Sequence, residues 1–166
     1  DIAWNLSYNQ GGVVPSTIQG ERMPPIARSF VKASFVYFIV AFLLGALMML
    51  DQWLGFSRWL RVVYVSQLHL LVVGWITQLA IGVAYWMFPR LRREQSAQPR
   101  GSDALAWAVL ICLNVGLLLR FLFEPFYRMG GGSSLAILLA LSGILQAVAA
   151  IAFGLLMWAR IRPMES

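Results

Sequence analysis

The stretch SQLHLLVVGWITQLAIGVAYWMFPRLRR, Ser66 to Arg93, decides the fold. Its apolar run begins near Val62, reaches Phe88 and stops at Pro89. A helix interior rejects proline, which lacks the N–H and crowds the preceding turn. Arg90, Arg92 and Arg93 follow at once. A hydrocarbon core roughly 30 Å thick needs about 20 apolar residues in a helix, so this run is long enough to cross a membrane.

Three further stretches pass the same test. ASFVYFIVAFLLGALMML, Ala33 to Leu50, is stopped by Asp51. ALAWAVLICLNVGLLLRFLF, Ala104 to Phe123, stops before Glu124-Pro125. The last, Ser134 to Trp158, follows the Gly130-Gly131-Gly132 turn and ends at Arg160. Backbone polar groups in lipid must be satisfied within each segment, which leaves helices or a closed barrel. A barrel needs short segments of alternating polarity, and these runs do not alternate. The expected fold is all-α: an integral membrane four-helix bundle with a polar, extended N-terminal arm. The arm covers residues 1–32 and the helices 33–50, 62–88, 104–123 and 134–158 within a domain of 33–160. A short tail, 161–166, follows.

Composition agrees. The 166 residues are 60% hydrophobic and 12% charged, against roughly 25% charged in an ordinary soluble domain. The net charge of +6 does not point to nucleic acid, because the basic residues sit between apolar runs, where they set orientation. Arg22, Arg28, Lys32, Arg90, Arg92, Arg93, Arg100, Arg160 and Arg162 fall on one side, and Arg58, Arg61, Arg120 and Arg128 on the other. Nine against four places both termini in the cytoplasm, in a multi-pass protein of a bacterial inner membrane. Asp1 to Pro25 show neither the charged start nor the apolar stretch of a secretory signal, and without an initiating Met the chain is expected to be either trimmed or incompletely traced. Met23-Pro24-Pro25-Ile26 is expected to be extended, because proline restricts itself and its predecessor. Trp53, Trp59, Trp86, Tyr127 and Trp158 fall near span ends, where amphipathic rings settle among headgroups. The lone Cys112 excludes a disulfide framework within the chain and reads as a small buried hydrophobe.

Polar residues inside spans carry the functional information, since they are costly there. At about 100° per residue, Gln67, Gly74, Gln78 and Tyr85 share one stripe of the second helix. That stripe is a contact face for another helix, for a partner subunit or for lipid. His69, the only histidine, points to nearly the opposite side with Ile76, Ala80, Val83 and Met87. It can bond a backbone carbonyl or headgroup-level water, or act as a ligand. Arg120 and Glu124, four residues apart, meet on one helix face. They form a local ion pair, or grip a lipid phosphate, a haem propionate or a partner's carboxylate. Asn114 and Gln146 are expected to bond between helices, and Gly45, Gly116, Gly143 and Gly154 to allow close packing.

The segment HLLVVGWITQLAIGVAYWMFP, through His69, Leu70, Gly74, Trp75, Gly82, Tyr85 and Pro89, resembles the second helix of proteins related to haem-copper oxidase subunit I, particularly short four-helix versions. The resemblance implies that His69 stands where the larger family places an axial ligand of haem b. Short relatives often carry a His-x-His pair, and here its first member is Gln67. With a single histidine, the chain supplies neither a copper centre nor a bis-histidine haem. Met48, Met49 or Met157 would be the internal alternatives for a His/Met haem. The expected role is an accessory, non-catalytic subunit of a respiratory or photosynthetic electron-transfer complex, quinol-oxidising or oxidase-related. Alternative complex III has small membrane subunits of this sort. Its partners would be other integral membrane subunits, lipid and, as a candidate ligand, quinone. The cofactor expectation is none, with haem b on His69 as the alternative, in an electron-transfer or gas-sensing protein. A transporter or assembly factor fits less well: transporter sites favour broken helices, and no span has a mid-helix proline.

Overall fold

The computed structural model describes residues 23–55, 57–87 and 101–158, with only the backbone of 101 and 102. Four helices fill them: α1, Pro25–Leu54; α2, Arg58–Met87; α3, Gly101–Arg128; and α4, Ser133–Trp158. All four are long and apolar enough to cross a membrane. They form an up-and-down helical bundle, so the chain is a multi-pass membrane protein. The expected residues 1–22, the connection at 88–100 and the tail lie outside the described residues.

α2 begins at Arg58 and α3 at Gly101, a few residues ahead of the expected 62 and 104; three other boundaries differ from expectation, each for a local reason. α1 starts at Pro25, so Pro25 and Ile26 are helical and only Pro24 is extended, with φ −55° and ψ 148°. Proline at the first helical position costs little, because its missing N–H would have no partner there. Ile26, Ala27 and Phe30 are buried, and this packing draws the helix back into the expected arm. At its other end α1 runs past Asp51 to Leu54 and stops at Gly55, whose φ of 64° is a left-handed cap. The Asp51 side chain is kept inside by accepting the Ser57 N–H at 2.6 Å. α3 passes through Pro125 to Arg128; so near the helix end, proline removes one bond, to Phe121, without ending the helix.

α2 and α3 are the inner helices. α1 packs along α2, and α4 packs along α3. One apolar cluster joins all four helices through Phe30, Ile81, Tyr85, Val109, Leu113, Ala149 and Leu156. A second cluster, nearer the turns between α1 and α2 and between α3 and α4, is built on Ala41, Leu70 and Leu117 of α1, α2 and α3. We call this the hairpin end. Long apolar side chains such as Phe35, Ile39, Ile111, Ile144 and Ile151 remain exposed around the bundle, as a lipid-facing surface requires.

Candidate functional site: a polar seam between α2 and α3

The glutamine stripe of α2 is turned inward, onto the chain's own helices. Gln67 Nε2 donates to the Ala41 carbonyl of α1 at 3.2 Å. Gly74 lies so close to α1 that an added Cβ would stand 2.7 Å from Tyr37 Cγ and 3.0 Å from Leu117 Cδ2. Gln78, 0% exposed, faces Asn114 of α3. Tyr85 Oη donates to Asp103 Oδ1 at 2.6 Å. Within the chain, this face contacts α1 and α3.

Asn114 is the hub. Its Oδ1 accepts from Tyr37 Oη at 2.7 Å and from Gln78 Nε2 at 3.4 Å, while its Nδ2 donates to Gln78 Oε1 at 3.4 Å and to Leu110 O at 2.7 Å. Three helices are thus tied at one depth. Such bonds contribute about 0.6 kcal/mol each on average in membranes, so the hub fixes register more than it adds stability. Gln146 differs from expectation: it donates to Ser142 of its own helix at 3.4 Å, and it is Ser142 Oγ that crosses to the Gly116 carbonyl of α3 at 2.7 Å. Gly116 marks a close approach, an added Cβ standing 2.9 Å from the Ser142 carbonyl, whereas at Gly45 the nearest atom, Gln67 Nε2, is 3.4 Å away, an ordinary contact, and Gly143 and Gly154 have open space where a Cβ would stand. Cys112 is half-buried.

His69 ends the first α-helical stretch of α2, and a π-helical stretch, Leu70–Thr77, begins beside it. Its Nδ1 lies 2.9 Å from the Val65 carbonyl. A carbonyl can only accept, so Nδ1 carries a proton, and in the neutral ring that leaves the lone pair on Nε2. The ring is half-buried; Ile76, Ala80 and Met87 are exposed and Val83 half-buried, so His69 and the glutamine stripe serve different faces. Trp75, of the Gly-Trp pair, stacks on Phe38 of α1 with centroids 4.5 Å apart.

Of the three methionines named as partners for His69, Met157 is buried in the four-helix cluster, Met48 is half-buried and Met49 is exposed. Among the described residues no group of three His, Cys, Asp or Glu could hold a metal ion.

At the hairpin end Glu124 is 4% exposed. Its Oε2 accepts from Arg120 Nε and from Ser66 Oγ of α2, both at 3.3 Å, and its Oε1 accepts from Arg128 Nε and Nη2 at 3.4 Å. The expected Arg120–Glu124 pair is present, as part of a larger cluster. Ser66 and Arg128 were not singled out by the sequence. Arg128 is four residues beyond Glu124, so helical spacing would have found it. Ser66, Tyr37 and Asp103 had no such signal, because their partners lie on other helices.

No known family model matches the chain, and neither a curated protein nor a solved structure is similar enough to imply a relationship.

Proposed function

We propose that this protein is an accessory, non-catalytic subunit of a bacterial electron-transfer complex, quinol-oxidising or oxidase-related. Both termini would face the cytoplasm, and other integral membrane subunits would be its partners. The reading rests on the oxidase-like segment His69 to Pro89. It is supported by what the polar residues of that segment do: Gln67, Gln78 and Tyr85 are spent on bonds to α1 and α3. A helix whose polar groups lock its own bundle is suited to scaffolding. Purification in mild detergent should bring down larger haem-bearing subunits, and His69→Ala should leave their turnover unchanged. Isolation of the chain alone from membranes that contain such complexes would overturn the reading.

One observation favours a second reading, in which His69 is an axial haem ligand. The Val65 carbonyl fixes the Nδ1–H tautomer, and a second-sphere acceptor of this kind orients a histidine for ligation through Nε2. The other axial ligand would come from a partner chain. A reduced-minus-oxidised spectrum with a b-type signal that vanishes in His69→Ala would put this reading first; an unchanged spectrum would end it.

A further inference from the structure

The Arg120–Glu124–Arg128 cluster has more positive charge than its own partners use. Two guanidiniums share one carboxylate. Arg120 commits only Nε, and Arg128 commits Nε and one Nη. Each guanidinium carries five N–H donors, so among the described residues most of the donors in the pair have no acceptor. The Arg120 side chain is half-buried and that of Arg128 exposed, so these donors are open to an acceptor from outside the chain.

The position of Arg120 shows where that acceptor would enter. One turn before it, Gly116 touches Ser142 of α4; one turn after it, Glu124 meets Ser66 of α2. Arg120 therefore stands on α3 between the face covered by α2 and the face covered by α4. α2 and α4 both pack on α3 and have at most marginal contact with each other. The four-helix cluster closes the far end of the bundle, whereas the cluster near the hairpin end contains no α4 residue. The first buried residue of α4 is Ser142, two and a half turns into the helix. These placements leave a groove floored by α3 and walled by α2 and α4 at the hairpin end, with Arg120 in it and Arg128 held beside it through their shared partner Glu124.

We propose that this groove binds a net-anionic phospholipid, its phosphodiester on Arg120 and Arg128 and an acyl chain between α2 and α4. Guanidinium matches phosphate in geometry and charge. α2 and α4 are both apolar enough to cross a membrane, so a ligand with a tail is favoured over a free anion. Glu124 holds both arginines in place and keeps the site at one net positive charge, which selects an anionic over a zwitterionic headgroup. The remaining charges described at this end are Arg58, Arg61 and Asp51; Arg58 and Arg61 begin α2 and are exposed.

The test is native mass spectrometry of the full chain in mild detergent, with added phosphatidylglycerol, phosphatidylcholine or inorganic phosphate. Wild type should retain phosphatidylglycerol about tenfold better than phosphatidylcholine. Arg120→Gln with Arg128→Gln should lose that preference, whereas Arg58→Gln with Arg61→Gln, an equal loss of charge outside the groove, should keep it. If the first pair misfolds because Glu124 is left uncompensated, adding Glu124→Gln restores the balance and should still abolish selectivity. Equal retention of both lipids by wild type would overturn the proposal. So would an equal loss in the Arg58/Arg61 variant, saturation by inorganic phosphate alone, or a bound protein, with no lipid, that leaves on Arg120/Arg128 substitution.

Discussion

The contacts that specify this bundle are made by very few atoms, and Gly74 shows how. It has no side chain to contribute, yet α1 and α3 converge on its Cα. An added methyl would meet Tyr37 at Cβ and Cγ, atoms too near the backbone to swing aside. Gly74→Ala should therefore force α1 and α2 apart and cost about 1–3 kcal/mol, the usual range for overpacking. Gly143→Ala provides the control, since nothing lies within 4 Å of its added Cβ and alanine is the better helix former. Thermal unfolding in detergent should show a lower midpoint for the first and an equal or higher one for the second. Asn114 lies at the opposite extreme: its amide oxygen and nitrogen together meet Tyr37, Gln78 and Leu110. A half-buried amide of that kind is tolerated in lipid because its polar atoms have partners.

At the scale of the element, α2 departs most from a regular helix. A π turn holds more residues than the 3.6 of an α turn. The buried positions Ser66, Leu70, Gly74, Gln78 and Gly82 follow one another at steps of four. In a continuous α-helix such a row would drift around the axis; the wider turns at Leu70–Thr77 keep it facing α1 and α3. Thr77 helps to hold the wide turn, its hydroxyl donating to the Val72 carbonyl five residues back at 2.9 Å. Thr77→Val keeps the shape and removes that bond, worth about 0.5–1.5 kcal/mol. Amide exchange within 70–77 should become faster, with the remainder of α2 unchanged; uniform exchange would mean that the hydroxyl does not support the π turn. The four spans and the glutamine stripe were legible in the sequence because length, apolarity and a repeat of seven, four and seven residues are local properties. The π stretch was not, since it depends on neighbours that pull the chain to one side. Nor was the destination of the stripe: Gln78 meets Asn114 across 36 residues, and a single helix pattern cannot name its partner. His69 was legible as a position and as a carbonyl-bonding group.

At the scale of the whole molecule, the polar rungs lie along α3 at Asp103, Asn114 and Glu124, roughly 15 Å apart at 1.5 Å per residue, with Val109, Leu113 and Leu117 buried between them. Rungs so spaced register α3 against α2 at both ends and the middle, and the apolar layers between them carry no chain of hydrogen bonds. The same division organises the charges. Among the described residues, Arg58, Arg61, Arg120 and Arg128 belong to the hairpin end and Arg28 and Lys32 to the opposite end; on the sequence count of nine basic residues against four, the positive-inside rule would turn the hairpin end away from the cytoplasm. The half-buried Cys112 is the sole cysteine, so Cys112→Ala gives a clean background for testing this. In that background Gly132→Cys, at an exposed turn with open space around the new side chain, should react with a membrane-impermeant maleimide added to intact spheroplasts. Ser166→Cys should react only after the membrane is opened. The reverse pattern would turn the protein over, place the groove at Arg120 in the cytoplasmic leaflet, and require that the four arginines of the hairpin end outweigh the nine opposite them in setting topology.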